Sequence, residues 1–263
     1  MIIDTHCHIF PDAIAERAAA NTGKFYGIVC CADGRLSTLK RLEKAAGVDR
    51  MLVCSAATTI TQTTIVNDYI AKTVGENPGL LFGLGAMNQD YPDKAGEVAR
   101  IRALGLKGVK IHPEIQGVAI NDRRFDELYD ALSQCGMPLL AHTGDLRYHN
   151  SNPPEVLEVL RRFPRLTLIA AHLGSWSNWT EGVKALAGRE NVYVDCSSSL
   201  YAMTPEAAGK VIRGYGADRV LFGSDYPMWE PETERARLAQ VGLTQAEMEK
   251  ILGGNAQALL AID

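Results

Sequence analysis

Short apolar runs alternate with amphipathic stretches along the whole chain of 263 residues. Each run is apolar almost without interruption, which is typical of parallel strands that are covered on both faces. Eight runs have this character: 2–7, 51–56, 80–87, 106–111, 138–141, 166–171, 192–196 and 219–223. The stretches between them, such as 122–134 and 154–162, place apolar residues at three- and four-residue steps and predict helices.

This alternation predicts an α/β protein, and the spacing of its strands indicates the architecture. From the second run onward the strands recur roughly every thirty residues, the size of one βαβ unit. Eight such units in a chain of this length predict a (β/α)8 barrel, also called a TIM barrel. The rival is an open doubly wound sheet, which usually carries a Gly-rich phosphate-binding turn after its first strand, and the sequence contains no such motif.

The chain shows no linker composition and no low-complexity segment, so we predict a single domain over residues 1–263. The first crossover is the longest, and residues 21–37 within it are rich in glycine. This segment predicts an extended loop over the barrel mouth. A lid over a substrate and a solvated insertion are both consistent with it.

Composition narrows the partners of the protein. Hydrophobic residues make up 46% of the chain and the formal net charge is -4, so there is no electrostatic reason to expect nucleic acid or an anionic membrane. A small-molecule substrate is the expectation that remains. We expect a cytoplasmic protein with free thiols, because the start of the chain carries Asp4 and His6 where a secretory signal would be apolar.

A pair of histidines stands at the end of the first predicted strand, in Asp4-Thr5-His6-Cys7-His8. Alternate side chains of a strand point to the same face, so His6 and His8 are expected side by side, with Asp4 one step deeper on that face. Two imidazoles held in this way are half of a metal site. An ordinary polar strand end is the alternative for the pair taken alone.

The other polar strand ends decide between these two interpretations. His112, His142 and His172 follow the fourth, fifth and sixth predicted strands, and Asp225 follows the eighth. In a parallel barrel all these ends lie at the C-terminal mouth, where the active sites of this architecture are built. Several imidazoles with one carboxylate suit a divalent transition ion, Zn²⁺ first, with Mn²⁺, Fe²⁺ or Co²⁺ as alternatives, and leave room for water or substrate.

Together these motifs resemble those of the amidohydrolase superfamily. They are Asp-x-His-x-His, Gly-Val-Lys-Ile-His-Pro, Ala-His-Thr-Gly, Ala-His-Leu-Gly and Gly-Ser-Asp-Tyr-Pro. The nearest branch is the amidohydrolase-related one that includes aminocarboxymuconate-semialdehyde decarboxylase. The resemblance implies that the metal ligands are His6, His8, His142 and Asp225, and that His172 is a catalytic residue beside them.

The number of ions depends on Lys110. Two-metal members of the superfamily use a carboxylated lysine on the fourth strand as a bridge, whereas the single-metal branch does not. We favour one ion, with Lys110 paired to an acid or holding a substrate carboxylate. The TatD-type deoxyribonucleases also open with His-x-His, but they place a metal-binding glutamate where this chain has Lys110 and His112.

Loop residues beyond the strand ends are candidates for the substrate pocket. They are His112, Arg147, Trp176 and Tyr226, with Lys110 below them. Arg147 is expected to meet a substrate carboxylate, or else to be solvated. The aromatic residues stack a ring or cover apolar surface from a partner subunit, so a homodimer stays open.

For the reaction, we expect a hydrolase that attacks an amide, ester or lactone bond of a small molecule with a metal-activated water. In it Asp225 takes the proton of the water, and either His172 or the metal polarises the carbonyl. The alternative is a metal-dependent decarboxylase of a small carboxylic acid, which uses the same side chains. A barrel that has lost activity and serves as a binding module is the minor alternative.

Overall fold

The computed structural model describes residues 1–262 and shows parallel strands closed into a barrel inside a layer of helices. The strands are β1 (Ile3–His8), β2 (Arg50–Cys54), β3 (Leu81–Gly83), β4 (Gly85–Ala86), β5 (Val109–Ile111), β6 (Leu139–Ala141), β7 (Leu168–Ala170), β8 (Val192–Asp195) and β9 (Val220–Leu221). They pair in parallel in the orders β1-β2-β3 and β4 to β9. The predicted (β/α)8 barrel is confirmed.

The third predicted strand is split in two at Leu84. The Leu84 amide donates to the Val53 carbonyl of β2 at 3.0 Å, and the next amide, of Gly85, donates to the Gly108 carbonyl at 2.9 Å. The third predicted strand therefore pairs with β2 through its first half, β3, and with β5 through its second half, β4. On the other side the Thr5 amide donates to the Phe222 carbonyl at 2.9 Å, which joins the last strand to the first.

The main helices follow the strands around the outside. They are α1 (Ala15–Tyr26), α2 (Leu36–Ala45), α3 (Ile60–Gly75), α4 (Lys94–Ala103), α5 (Pro113–Gln116), α6 (Asp126–Cys135), α7 (Pro153–Arg162), α8 (Trp179–Leu186), α9 (Pro205–Tyr215), α10 (Pro231–Ala239), α11 (Gln245–Glu249) and α12 (Asn255–Leu260). Local sequence sets several of their starts. Asp93 accepts a hydrogen bond from the Gly96 amide at 2.8 Å at the start of α4, and Pro153 opens α7.

The loop predicted at 21–37 is shorter than expected. Helix α1 continues to Tyr26 and α2 begins at Leu36, which leaves 27–35 between them. Gly23 is a residue of the helix rather than of a turn. A Cβ there would lie 2.5 Å from the Ile28 carbonyl oxygen, so the glycine allows the returning chain to pack against α1.

Two apolar layers hold the barrel together. The larger lies between strands and helices, and the smaller fills the barrel interior with Ile3, Leu52, Leu84, Leu140, Ile169 and Leu221. Because this layer fills the barrel interior, a site on the barrel axis lies at the C-terminal mouth, as is usual for this architecture. Within residues 1–262 no helix combines the length and the apolar character that crossing a membrane requires.

Candidate active site

A bulge in β1 gives its side chains their directions. The pairing register with β2 shifts between Asp4 and Cys7, so the strict alternation of faces is broken there. The prediction that Asp4 shares a face with His6 is therefore wrong. Asp4 lies instead with Cys7 and the Glu43 carboxylate of α2, where the three donor atoms fall within 4.8 Å of one another. Its Oδ1 accepts a hydrogen bond from the His6 backbone amide at 2.9 Å, and so helps to fix the position of His6.

His6 and His8 point into the mouth and meet Asp225. Their Nε2 atoms are 3.1 Å apart, and Asp225 Oδ1 lies 3.5 Å from His6 Nε2 and 3.4 Å from His8 Nε2. Burial by itself raises the pKa of Asp225, but the neighbouring imidazoles outweigh it and hold that pKa well below its usual range. Asp225 is therefore a carboxylate at neutral pH. Three potential ligand atoms, His6 Nε2, His8 Nε2 and Asp225 Oδ1, thus lie within 3.5 Å of one another.

His6 is oriented from outside the cluster by Asp195 at the end of β8. Its Nδ1 lies 2.9 Å from Asp195 Oδ2, so Nδ1 carries the proton and the lone pair of Nε2 faces the mouth. Burial, followed by the charge of Lys110, lowers the pKa of His6 to about 4. The imidazole is therefore neutral, as a metal ligand must be.

His142 and His172 are oriented in the same way. His142 Nε2 donates to the Gly144 carbonyl at 2.9 Å, and His172 Nδ1 donates to the Ser197 carbonyl at 3.1 Å. Their other nitrogens, His142 Nδ1 and His172 Nε2, then face each other as lone pairs at 3.0 Å. Two buried lone pairs at this distance require a positive charge or a proton between them, which fits a cation site.

The donors form one connected group at the mouth. His172 lies with His6 and Asp225 in a set whose donor atoms fall within 4.8 Å of one another, and His142 joins the set through His172. The residues predicted as metal ligands and the predicted catalytic residue His172 thus lie in one group. Which of His142 and His172 is a ligand stays a prediction, because both offer an inward lone pair.

Lys110 is fully buried at the base of the same group. Its Nζ lies 3.0 Å from His6 Nε2, and desolvation by burial lowers its pKa. The Lys110 amine thus lies beside the predicted metal ligands, at the end of the fourth predicted strand. Its contact is to an imidazole, and the acids Asp195 and Asp225 are near enough to favour its charged form.

Three further residues of the site are not among the predicted ligands, catalytic residues and substrate contacts. Tyr26 of α1 places its hydroxyl 3.0 Å from His112 Nε2, although its segment was predicted as loop. Glu114 is buried beside His112 and His142, and burial raises its pKa to about 8. Ser198 donates to Asp225 Oδ2 at 2.5 Å. Glu114 carried a signal, since it follows His112-Pro113 directly, and so did Ser198, which lies in the serine run after the seventh predicted strand.

A cavity of about 530 Å³ opens above the donors. Its base is formed by His8, Lys110, His112, His142, His172 and Asp225, and its walls include Phe10, Ile14, Ile28, Val66, Ile115 and Trp176. Lys110, His112 and Trp176 therefore lie where the sequence predicted substrate contacts. The walls are mostly apolar, as in most small-molecule sites.

Arg147 and Tyr226 do not line this cavity. Tyr226 is buried behind the wall, and its hydroxyl donates to the Arg35 carbonyl at 2.8 Å. Arg147 forms a bidentate pair with buried Asp145 and donates to the Phe25 carbonyl at 2.8 Å. Its donors are taken up by protein groups, so the predicted contact with a substrate carboxylate is replaced by a contact with α1.

The sequence profile of one family, described as amidohydrolase, matches residues 3–262. The chain belongs to the amidohydrolase family. A curated relative is the 2-amino-3-carboxymuconate-6-semialdehyde decarboxylase of Dictyostelium discoideum, 24% identical over 237 residues, which are 75% of this chain and 66% of that protein. The matched region thus spans slightly less than two thirds of the relative's length.

Two solved structures have a fold similar to that of this chain. An uncharacterised TIM-barrel protein from Bordetella bronchiseptica superposes with a TM-score of 0.81 at 24% identity, covering 99% of this chain and 98% of that one. A dihydroxybenzoic acid decarboxylase from Polaromonas sp. JS666, with bound manganese and the inhibitor 2-nitroresorcinol, superposes with a TM-score of 0.76 at 17% identity, covering 99% and 96%. At these identities the likeness shows the fold alone.

The curated relative corrects the expected reaction. This relative is a decarboxylase, and this contradicts the prediction of a hydrolase acting on amide, ester or lactone bonds. The prediction was wrong because hydrolysis and decarboxylation use the same ligand types. The ligand types by themselves do not report on the bond that breaks.

Proposed function

We propose that this amidohydrolase is a metal-dependent decarboxylase of a small carboxylic acid with a flat, unsaturated or aromatic body. The observation that carries the proposal is the set of inward lone pairs on His6, His142 and His172 beside the Asp225 carboxylate, at the base of an apolar cavity. Each imidazole has its outer nitrogen bonded to a protein acceptor. The donor set is therefore preorganised for a cation and for an anionic substrate.

The residues that would hold the metal are His6, His8, His142 and Asp225. We propose one divalent ion, with Zn²⁺ and Mn²⁺ as the first candidates, because imidazole and carboxylate ligands suit both. A bound ion supplies positive charge that attracts the oxygens of the substrate and stabilises the negative charge that develops as the carbon–carbon bond breaks. Lys110 Nζ lies 3.0 Å from the same His6 Nε2, so this lone pair accepts from Lys110 only while no ion is bound to it.

The reaction requires a proton at the carbon that loses its carboxyl group. The carbon–carbon bond breaks, its electron pair stays on the substrate carbon, carbon dioxide leaves, and a new carbon–hydrogen bond forms with the delivered proton. His172 and Asp225 both reach the cavity and lie next to each other, and each is in its basic form at neutral pH. They are therefore placed to pass a proton, taken from solvent water, to that carbon. Ser197 holds the His172 ring in position through Nδ1.

The shape of the cavity supports a flat acid. Phe10, Ile115 and Trp176 offer apolar surface to a ring, and polar side chains of Asn21, Thr22, Thr58 and Gln62 are spread around the walls. Carboxyl groups at the base and a ring against the walls would occupy the cavity with most of the surface of the ligand buried.

The test is a product assay on protein loaded with Mn²⁺ or Zn²⁺. A panel of hydroxybenzoates and unsaturated carboxylic acids is incubated in ¹⁸O-labelled water, and carbon dioxide and product are measured. We expect at least one acid to release carbon dioxide with one new carbon–hydrogen bond, and with no ¹⁸O in the organic product.

Asp225→Asn is expected to lower kcat by about 100-fold or more, since it removes a charged ligand and a proton-transfer group. Asp218→Asn, at an exposed position outside the site, is the matched control. Transfer of ¹⁸O to the product without carbon dioxide release, or full activity of Asp225→Asn, would contradict the proposal.

A further inference from the structure

Tyr26 reaches the site from α1 rather than from a barrel strand. Its hydroxyl lines the cavity and lies 3.0 Å from His112 Nε2 and 3.5 Å from His142 Nε2. The hydroxyl has one proton to donate and two lone pairs to accept with. The direction of the bond to His112 therefore decides whether the hydroxyl proton is free.

The backbone settles the proton position on His112. This residue caps the N-terminus of α5, and its Nδ1 accepts from the Ile115 amide at 3.3 Å. A nitrogen that accepts cannot carry a proton, so the ring proton is on Nε2. His112 therefore donates to the Tyr26 oxygen.

His142 leads to the same conclusion. Its Nε2 proton is directed at the Gly144 carbonyl at 2.9 Å, so this nitrogen cannot accept from Tyr26. Neither of the two histidines beside the hydroxyl offers it a lone pair. The O–H of Tyr26 is left to point into the cavity.

We propose that Tyr26 is a substrate-binding residue that donates a hydrogen bond to an anionic oxygen of the acid, its carboxylate or an adjacent ring oxygen. This inference rests on the proposed decarboxylase. It adds a donor from α1 to the groups at the strand ends, on the side of the cavity formed by His112 and His142.

A clamp around Arg147 holds Tyr26 in place. The guanidinium is fixed by Asp145, which is 1% exposed, through Nε at 3.0 Å and a second nitrogen at 2.7 Å. It then donates to the Phe25 carbonyl at 2.8 Å and lies 5.2 Å from the centre of the Tyr26 ring. Arg147 is thus a positioning residue that fastens the end of α1 to the loop after β6.

The first experiment needs no ligand. Nitrogen-15 NMR of the histidine rings in the full-length protein should show His112 protonated at Nε2, and Tyr26→Phe should shift that signal. His112 protonated at Nδ1 would overturn the inference, because the Tyr26 proton would then be used on His112. This result is independent of whether the protein decarboxylates any acid.

The second experiment measures binding of 2,6-dihydroxybenzoate to Mn²⁺-loaded protein by calorimetry. Tyr26→Phe should raise the dissociation constant roughly 10- to 100-fold, the effect of losing one hydrogen bond to a charged group. Tyr148→Phe is the control, because Tyr148 also packs on Arg147 but is 38% exposed. An equal effect of both variants, or none from Tyr26→Phe, would overturn the role. If the wild-type protein does not bind this probe, the NMR result decides.

The clamp is tested with Arg147→Lys alone and combined with Tyr26→Phe. A positioning role predicts that Arg147→Lys weakens binding in the wild-type background and changes it less than twofold once the hydroxyl is absent. Equal losses in both backgrounds would show that Arg147 acts only on stability or directly on the acid.

Discussion

At the scale of single residues, the bond on the outer nitrogen of each imidazole decides what the inner nitrogen can do. Asp195, the Gly144 carbonyl and the Ser197 carbonyl each accept a hydrogen bond from one ring N–H, and so direct the lone pair of the other nitrogen into the mouth. Such outer partners fix the tautomer and the orientation of a ligand. The protein has therefore prepared its cation site through residues that never touch the cation.

Asp195→Asn tests this arrangement. An amide next to His6 Nδ1 no longer stabilises the ring proton on that nitrogen, so the inward lone pair is held less firmly. We expect the affinity for Zn²⁺ or Mn²⁺ to fall about 10- to 100-fold, measured by titration against a competing chelator. Asp218→Asn should leave it unchanged. Wild-type affinity in Asp195→Asn would show that Asp195 serves only the loop after β8.

At the scale of elements, the break between β3 and β4 depends on a close approach of α3. A Cβ on Gly83 would lie 2.6 Å from Ile70 Cγ2 and 2.8 Å from Leu106 Cδ2. The glycine lets helix and strand pack directly before the chain turns to its new partner at Leu84.

Gly83→Ala should therefore destabilise the fold by about 1 to 3 kcal/mol, the usual effect of overpacking, measured by urea unfolding. Gly75→Ala is the matched control, because a Cβ at this helical position meets nothing within 4 Å. It should be neutral or stabilise by up to about 1 kcal/mol. If Gly83→Ala were as stable as wild type, the packing at the break would not depend on the glycine.

At the scale of the whole molecule, the site lies across the seam of the barrel. His6 and His8 come from β1, whereas Asp225 follows β9, and these are the two strands that meet when the barrel closes. A cation bound to both sides would connect the beginning of the chain to its end.

Removal of the metal should therefore lower the stability of the entire fold. With free metal at about 100 times its dissociation constant, binding adds about 3 kcal/mol, so chelator treatment should reduce Tm by several degrees. Asp225→Asn should show a much smaller metal-dependent shift in the same scan. An unchanged Tm on chelation of wild type would contradict a cation at the seam.

Much of the fold and part of the site were open to prediction. The period of the apolar runs is local, and it reported the order of strands and helices. His6, His8, His112, His142, His172 and Asp225 stand directly at predicted strand ends, so the common mouth followed from parallel topology. Tyr26 stands at no such position, and nothing local marks it.

The sequence by itself determined that polar donors gather at one end of a barrel, because a parallel barrel brings every strand end to one mouth whatever its loops do. Only the tertiary structure decided which way the remaining side chains face. The bulge in β1 turned Asp4 outward, the Phe25 carbonyl and Asp145 drew Arg147 away from the cavity, and α1 brought Tyr26 into it. These outcomes depend on contacts between segments far apart in the chain, and the local spacing of apolar residues does not report on such contacts.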